Sequence, residues 1–217
     1  GYVLAVAFPS LVTGERVHIA LGTVANDPEI QDEARRTVAV GLRNPELVDP
    51  ALLAASVDVV ARVGDEADFD AYVAAWKAAT TPQAEVRYIY ALAEFDEPDL
   101  TARVQSLVLD GTIRSQNAPF LLARALGSRA NGEATWAFIT GRWDRLNEMF
   151  ASSSIVRMLA TLIQLDRPGQ VEEAQAFFRT HEVATGTRTL RQILERQAVN
   201  AALRDRDPAK TTELVLP

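Results

Sequence analysis

Apolar residues recur along this chain at alternating steps of three and four, and that regularity restricts it to packed helices. Phe69, Tyr72, Val73 and Trp76 fall at i, i+3, i+4 and i+7, and Val86, Ile89, Tyr90 and Ala93 repeat the spacing. Trp136, Ile139, Trp143, Leu146 and Phe150 extend it into a single stripe along an expected helix of about four turns, interrupted at some cost by Gly141. The period-two alternation of a half-buried strand is nearly absent.

Helix starts are marked by chemistry as well as by period. Asp27-Pro28, Asp49-Pro50 and Thr81-Pro82 each place a capping oxygen before a residue that needs no N–H in the first turn. Asp96-Glu97-Pro98 and Asp166-Arg167-Pro168 do so with one residue inserted, and Asn117-Ala118-Pro119 opens another helix. The predicted helices are 16–25, 28–43, 50–63, 66–79, 82–95, 98–109, 118–127, 132–150, 152–165, 168–181 and 187–205. Tyr2 to Phe8 reads as a helix or a buried extended piece, and Thr211 to Pro217 as a frayed tail.

A weak internal repeat bears on how such helices stack. ANDPEI at 25–30, GDEADF at 64–69 and FDEPDL at 95–100 each set an acidic turn before a helix, with Asp27, Asp65 and Asp96 spaced by 38 and then 31 residues. Spacings of that size suit two-helix units, which bury both apolar faces only by stacking into a curved array. The expected fold class is therefore all-α: a right-handed solenoid of antiparallel helix pairs, HEAT/armadillo-like, with a concave face. The expected layout is an ill-defined segment 1–15, a helical-repeat domain 16–206 and the tail 207–217. An irregular bundle with coincidental acidic caps is the alternative.

Composition narrows the function classes. An apolar fraction of 48% supplies a substantial core, and no apolar run approaches the roughly 20 residues of a membrane helix. A net charge of -7 argues against a general nucleic-acid binder. The absence of cysteine fits a reducing, cytoplasmic setting. The opening YVLAVAF lacks the basic flank and cleavage site of a secretory signal, and a first residue Gly1 leads to the expectation of a piece of a longer product. Alanine is abundant, and Lys77 and Lys210 are the only lysines, a codon bias that suggests a bacterial source.

Three constellations invite catalytic readings. His181-Glu182 begins H-E-x-x-H, but the second histidine position holds Thr185, and the chain's two histidines cannot supply the three ligands of catalytic zinc without carboxylates. A solvated histidine near a helix C-terminus, followed by the breaker Thr185-Gly186, explains it. Ser152 to Ser154 lack a neighbouring histidine or a nucleophile elbow and are expected to cap the following helix. Asp65, Glu66, Asp68 and Asp70 suit a helix N-terminus better than a paired-carboxylate centre.

The stretch from about Leu107 to Arg206 carries four landmarks in order. These are basic-x-Gln-Asn at Arg114 to Asn117, W-x-F-x-x-x-x-W-D-x-L from Trp136 to Leu146, the serine turn before Ile155, and E-x-x-x-F-F from Glu173 to Phe178. The pattern resembles the C-terminal helical domain of the puromycin-sensitive and endoplasmic-reticulum type zinc aminopeptidases, the gluzincin aminopeptidase family. Upstream, GDEADFDAYVAAWKAATTPQAEVRYIYALAEFDEPDL is similar to the family's repeat helices, so the resemblance covers roughly 16–206.

The resemblance implies that a separate thermolysin-like domain of the same polypeptide holds zinc and a Gly-x-Met-x-Asn motif, neither of which this chain contributes. The arched helical domain would close over that site, wall the cavity that admits peptide substrates, and be inactive alone. Arg114 and Gln116, in a turn before a helix, are the candidates for lining the chamber; the other reading is that they brace the turn by hydrogen bonding. Trp136 and Trp143 are expected in the core rather than as a stacking platform. A standalone repeat scaffold that binds a protein partner is the competing function.

Overall fold

Twelve α-helices and three short 3-10 turns make up the regular structure in a computed structural model that describes residues 14–206, and no strand occurs among the described residues. The expectations for Tyr2 to Phe8 and for the tail 207–217 lie outside the described residues. The chain divides into two compact units between Leu100 and Thr101.

The first unit holds α1 (Gly14–Thr23), α2 (Pro28–Gly41), α3 (Pro50–Val63), α4 (Glu66–Lys77) and α5 (Pro82–Ala91), with 3-10 turns at Pro45–Leu47 and Leu92–Glu94. Its starts follow local chemistry. The Asp27 carboxylate accepts from the Glu29 and Ile30 N–H groups, Asp49 from Ala51 and Leu52, and Thr81 Oγ1 from Ala84. Asp65 and Asp68 form a reciprocal capping box at α4, so the acidic run there is helix-starting chemistry.

α3 packs against α1, α2, α4 and α5, and its Leu53, Val57, Val59 and Val60 are buried. The apolar stripe of α4 delivers Phe69, Tyr72 and Trp76 to the same core, where Phe69 meets Phe95 edge-on at 5.3 Å and Tyr72 meets Tyr88 at 5.4 Å. The buried Tyr72 hydroxyl donates to the Val57 carbonyl at 3.0 Å. The Arg62 fork reaches Glu94 at 2.6 Å and Asp96 at 3.0 Å, tying the end of α3 to the turn that precedes the next helix.

α6 (Pro98–Leu109) carries the division between the units in its first turn. The second unit continues with α7 (Ala118–Leu126), α8 (Gly132–Gly141), α9 (Trp143–Met149), α10 (Ser152–Met158), a 3-10 turn at Leu162–Gln164, α11 (Gln170–Thr180) and α12 (Thr187–Arg206). Here α7 packs on α8 and α10, while α12 packs on α11 and on the 3-10 turn. Trp136, Trp143, Phe177 and Phe178 form a herringbone of edge-on and tilted rings with centroids 5.1–5.9 Å apart. Both tryptophans are buried, at 4% and 6% exposure, as their spacing predicts.

Three local expectations are corrected. The single helix over 132–150 is two, because Arg142 leaves helical geometry at φ -126°, ψ 19°; the stripe survives the break, and Trp136, Ile139, Trp143, Leu146 and Phe150 are all buried. The serines do not cap α10: Ala151 is the extended N-cap residue and Ser152 to Ser154 lie inside the first turn. With Phe150 and Ile155 both in the core, only one residue between them remains outside the helix. The start expected at Pro168 is delayed to Gln170, because Gly169 adopts φ 85°, a left-handed conformation suited to glycine.

Candidate functional site

The turn bearing Arg114 and Gln116 is built by its backbone. α6 ends as Gly111 takes φ 78°, and the Ile113 N–H returns to the Leu107 carbonyl at 2.9 Å while the Ile113 side chain is buried. Asp110 accepts from the Thr112 N–H at 2.8 Å. The Arg114 carbonyl then accepts from the N–H groups of Asn117 (2.9 Å) and Ala118 (3.0 Å), which seeds α7. Both candidate side chains stand on the exposed side of this turn, whereas Asn117 to Pro119 are buried. The structure thus places Arg114 and Gln116 together on one exposed turn.

Among the described residues, no three His, Cys, Asp or Glu side chains come together to hold a metal ion. His181 belongs to no such group. Its ring lies flat on Phe177, 4.0 Å between centroids and 4° from parallel, and its Nδ1 sits 2.9 Å from the Phe177 carbonyl. The expectation of a solvated histidine is also corrected: His181 is half-buried and closes the C-terminus of α11 by stacking and by this contact.

Three concave surfaces of the second unit are absent from the sequence reading. An open groove of about 600 Å³ runs between α10 and α12 over Val156, Ala160, Ile163 and Ile193, with Arg157 and Arg196 at its edges. Another, of about 420 Å³, lies between α6 and α8 over Ala102, Leu109, Ala137 and Phe138. A smaller hollow of about 180 Å³ gathers Arg129, Arg167 and Arg204 with Glu133, Asp166 and Gln170. Arg167 pairs with Glu133 at 2.9 Å and Arg204 with Asp166 at 2.6 Å. Arg114 and Gln116 line none of these three surfaces. The three arginines stand 38 and 37 residues apart, so no local motif announces them.

Comparison with known proteins identifies this architecture. The family model described as the ERAP1-like C-terminal domain matches residues 15–198. Aminopeptidase M1-A of Oryza sativa subsp. japonica is 26% identical over 187 residues, which is 84% of this chain and 21% of that protein. Aminopeptidase M1 of Arabidopsis thaliana is 25% identical over 201 residues, 88% of this chain and 22% of the relative. Aminopeptidase 2 of Candida albicans is 22% identical over 190 residues, with 84% and 20% coverage. The chain spans about a fifth of the length of these relatives. An all-helical chain with this order of landmarks, matched by that model over most of its length, belongs to the ERAP1-like C-terminal domain family.

Proposed function

We propose that this chain is the non-catalytic C-terminal domain of a zinc-dependent aminopeptidase. In this reading it closes over a thermolysin-like catalytic domain of the same polypeptide and walls the cavity that receives peptide substrates. The observation that carries the reading is one of proportion: the family match covers 184 residues of this chain, 15–198, while its aminopeptidase relatives are about five times as long as the part they share with it.

The helices would stack as a HEAT-like solenoid whose concave face forms the wall, in the cytoplasm. Zinc would belong to the catalytic domain, and this chain's contribution is steric and electrostatic. Excluding bulk water strengthens polar contacts around a bound peptide, and a walled chamber turns away folded proteins by size. Among the described residues no helix is long and apolar enough to cross a membrane.

The test has two parts. The reading frame upstream of Gly1 should encode H-E-x-x-H with a downstream glutamate. The full-length product should hydrolyse aminoacyl-nitroanilides in a zinc-dependent way, while the 217-residue chain alone should not. An independent reading frame without the upstream domain, or zinc-dependent turnover by the isolated chain, would overturn the assignment.

A further inference from the structure

The small hollow of the second unit combines two arrangements that favour a negative charge. Arg129 from the α7–α8 turn, Arg167 from the loop before α11, and Arg204 from the last turn of α12 reach it from three separate elements. Against them stand the carboxylates of Glu133 and Asp166, so three guanidiniums facing two carboxylates leave one net positive charge. Arg167 and Arg204 are committed to those carboxylates. Arg129 is exposed and its side chain has no hydrogen-bonding or ionic partner among the described residues.

Two helices also begin at this rim. Glu133 lies in the first turn of α8 and Gln170 starts α11, and neither N-cap residue, Asn131 or Gly169, makes a side-chain capping bond. Their partial positive ends add to the guanidinium field. Beneath the hollow, the fully buried Gln197 donates through Nε2 to the Leu165 carbonyl at 2.7 Å and reaches the Gln170 carbonyl at 3.5 Å. The remaining lining, Gln164 and Ser128 included, is polar, and about 180 Å³ is room for a small head group rather than a chain.

We propose that this hollow is an oxyanion-binding site, in which Arg129 closes on a carboxylate or phosphate group while Arg167 and Arg204 flank it. A guanidinium fork matches both groups in a bidentate manner. The site uses residues of this chain alone and does not depend on the peptidase reading.

Calorimetric titration of the 217-residue chain tests it, at ionic strength held constant with sodium chloride. One arm uses inorganic phosphate, a second N-acetylglycine, and a third the uncharged N-acetylglycine amide. Saturable binding is expected for phosphate or N-acetylglycine with Kd below about 10 mM, and none for the amide. Which of the first two binds more tightly identifies the head group.

Arg129→Ala should weaken binding by roughly tenfold or more, as loss of a charge-assisted partner does, without moving the melting temperature. Arg129→Lys should restore part of it. Arg204→Ala is a second variant on a different element, and it should weaken binding in the same direction. Absence of saturable binding in both charged arms, or affinity unchanged in both Arg129→Ala and Arg204→Ala, would overturn the proposal.

Discussion

The indole Nε1 of Trp136 on α8 donates to the Glu173 carboxylate on α11 at 2.9 Å, so a buried ring has its polar edge satisfied by an exposed acid. The two residues belong to separate landmarks of the sequence pattern, and this contact joins them. Because the ring packs edge-on to Phe177, 5.5 Å between centroids, most of its contribution is apolar.

Trp136→Ala should therefore destabilise the second unit by about 3–5 kcal/mol. Glu173→Ala should cost about 1 kcal/mol, since water can reach an exposed site, and Glu173→Gln should cost less because an amide oxygen still accepts. Urea titration followed by tryptophan fluorescence separates the three. A Glu173→Ala loss as large as that of Trp136→Ala would show that the hydrogen bond, rather than packing, holds α8 to α11.

Glycines at two helix ends should respond to alanine in opposite directions. A Cβ at Gly41, the last residue of α2, would clash with the side chain of Leu53, which is 1% exposed and has no room to swing away. Gly41→Ala should destabilise by about 1–3 kcal/mol through overpacking. Gly141, the last residue of α8, has open space around its Cβ position and no positive φ, so Gly141→Ala should stabilise by about 0.5–1 kcal/mol. Paired urea midpoints check both signs.

Alkaline pH should loosen the first unit. Burial raises the Tyr72 hydroxyl far above its ordinary range, with Asp68, Tyr88 and Asp58 adding to the rise; burial also raises Tyr88 against the opposing pull of Arg87. For a group whose folded pKa lies above its unfolded value, stability is fully present below the unfolded pKa, near 10, and is lost as pH rises beyond it. The unfolded chain releases the phenolic proton first, so Tyr72 removes up to about 1.4 kcal/mol per pH unit from about pH 10 until its folded form also ionises, and Tyr88 acts in the same direction.

Urea titrations from pH 8 to 11 should show a plateau and then a decline. Tyr72→Phe should reduce the slope of that decline, at a cost of about 1 kcal/mol on the plateau from the lost bond to the Val57 carbonyl. An unchanged slope would assign the alkaline loss to other groups.

What the sequence made legible follows from how local each signal is. The starts of α2, α3, α4 and α5 depend on contacts spanning three residues, and Asp27, Asp49, Asp65 and Thr81 cap where a reading of single residues places them. Features set by packing escaped it. The break at Arg142, the N-cap at Ala151 rather than at a serine, and the left-handed Gly169 answer to where Phe150, Ile155 and the α11 contacts must sit, which short-range chemistry does not encode. The arginine hollow was invisible for the same reason: its members lie on a turn, a loop and a helix end nearly forty residues apart. Counting its partners set His181 aside as half of a zinc motif, but its stacking on Phe177 required α11 to end where it does.

Arg114 offers a kinetic prediction that separates lining the chamber from bracing the turn. Its carbonyl already makes the bonds that start α7, and its side chain is exposed, so Arg114→Ala leaves the backbone contacts in place. If the guanidinium meets peptide in the full-length enzyme, the variant should raise KM for peptides of several residues and spare a minimal amino-acid amide, which does not reach it. Loss of one charge-assisted contact corresponds to roughly a tenfold change in kcat/KM for the longer substrate. Gln116→Ala should act in the same direction with a smaller effect, as a neutral group does. Equal losses on long and minimal substrates, together with a lowered melting temperature, would assign the pair to bracing the turn between α6 and α7 instead.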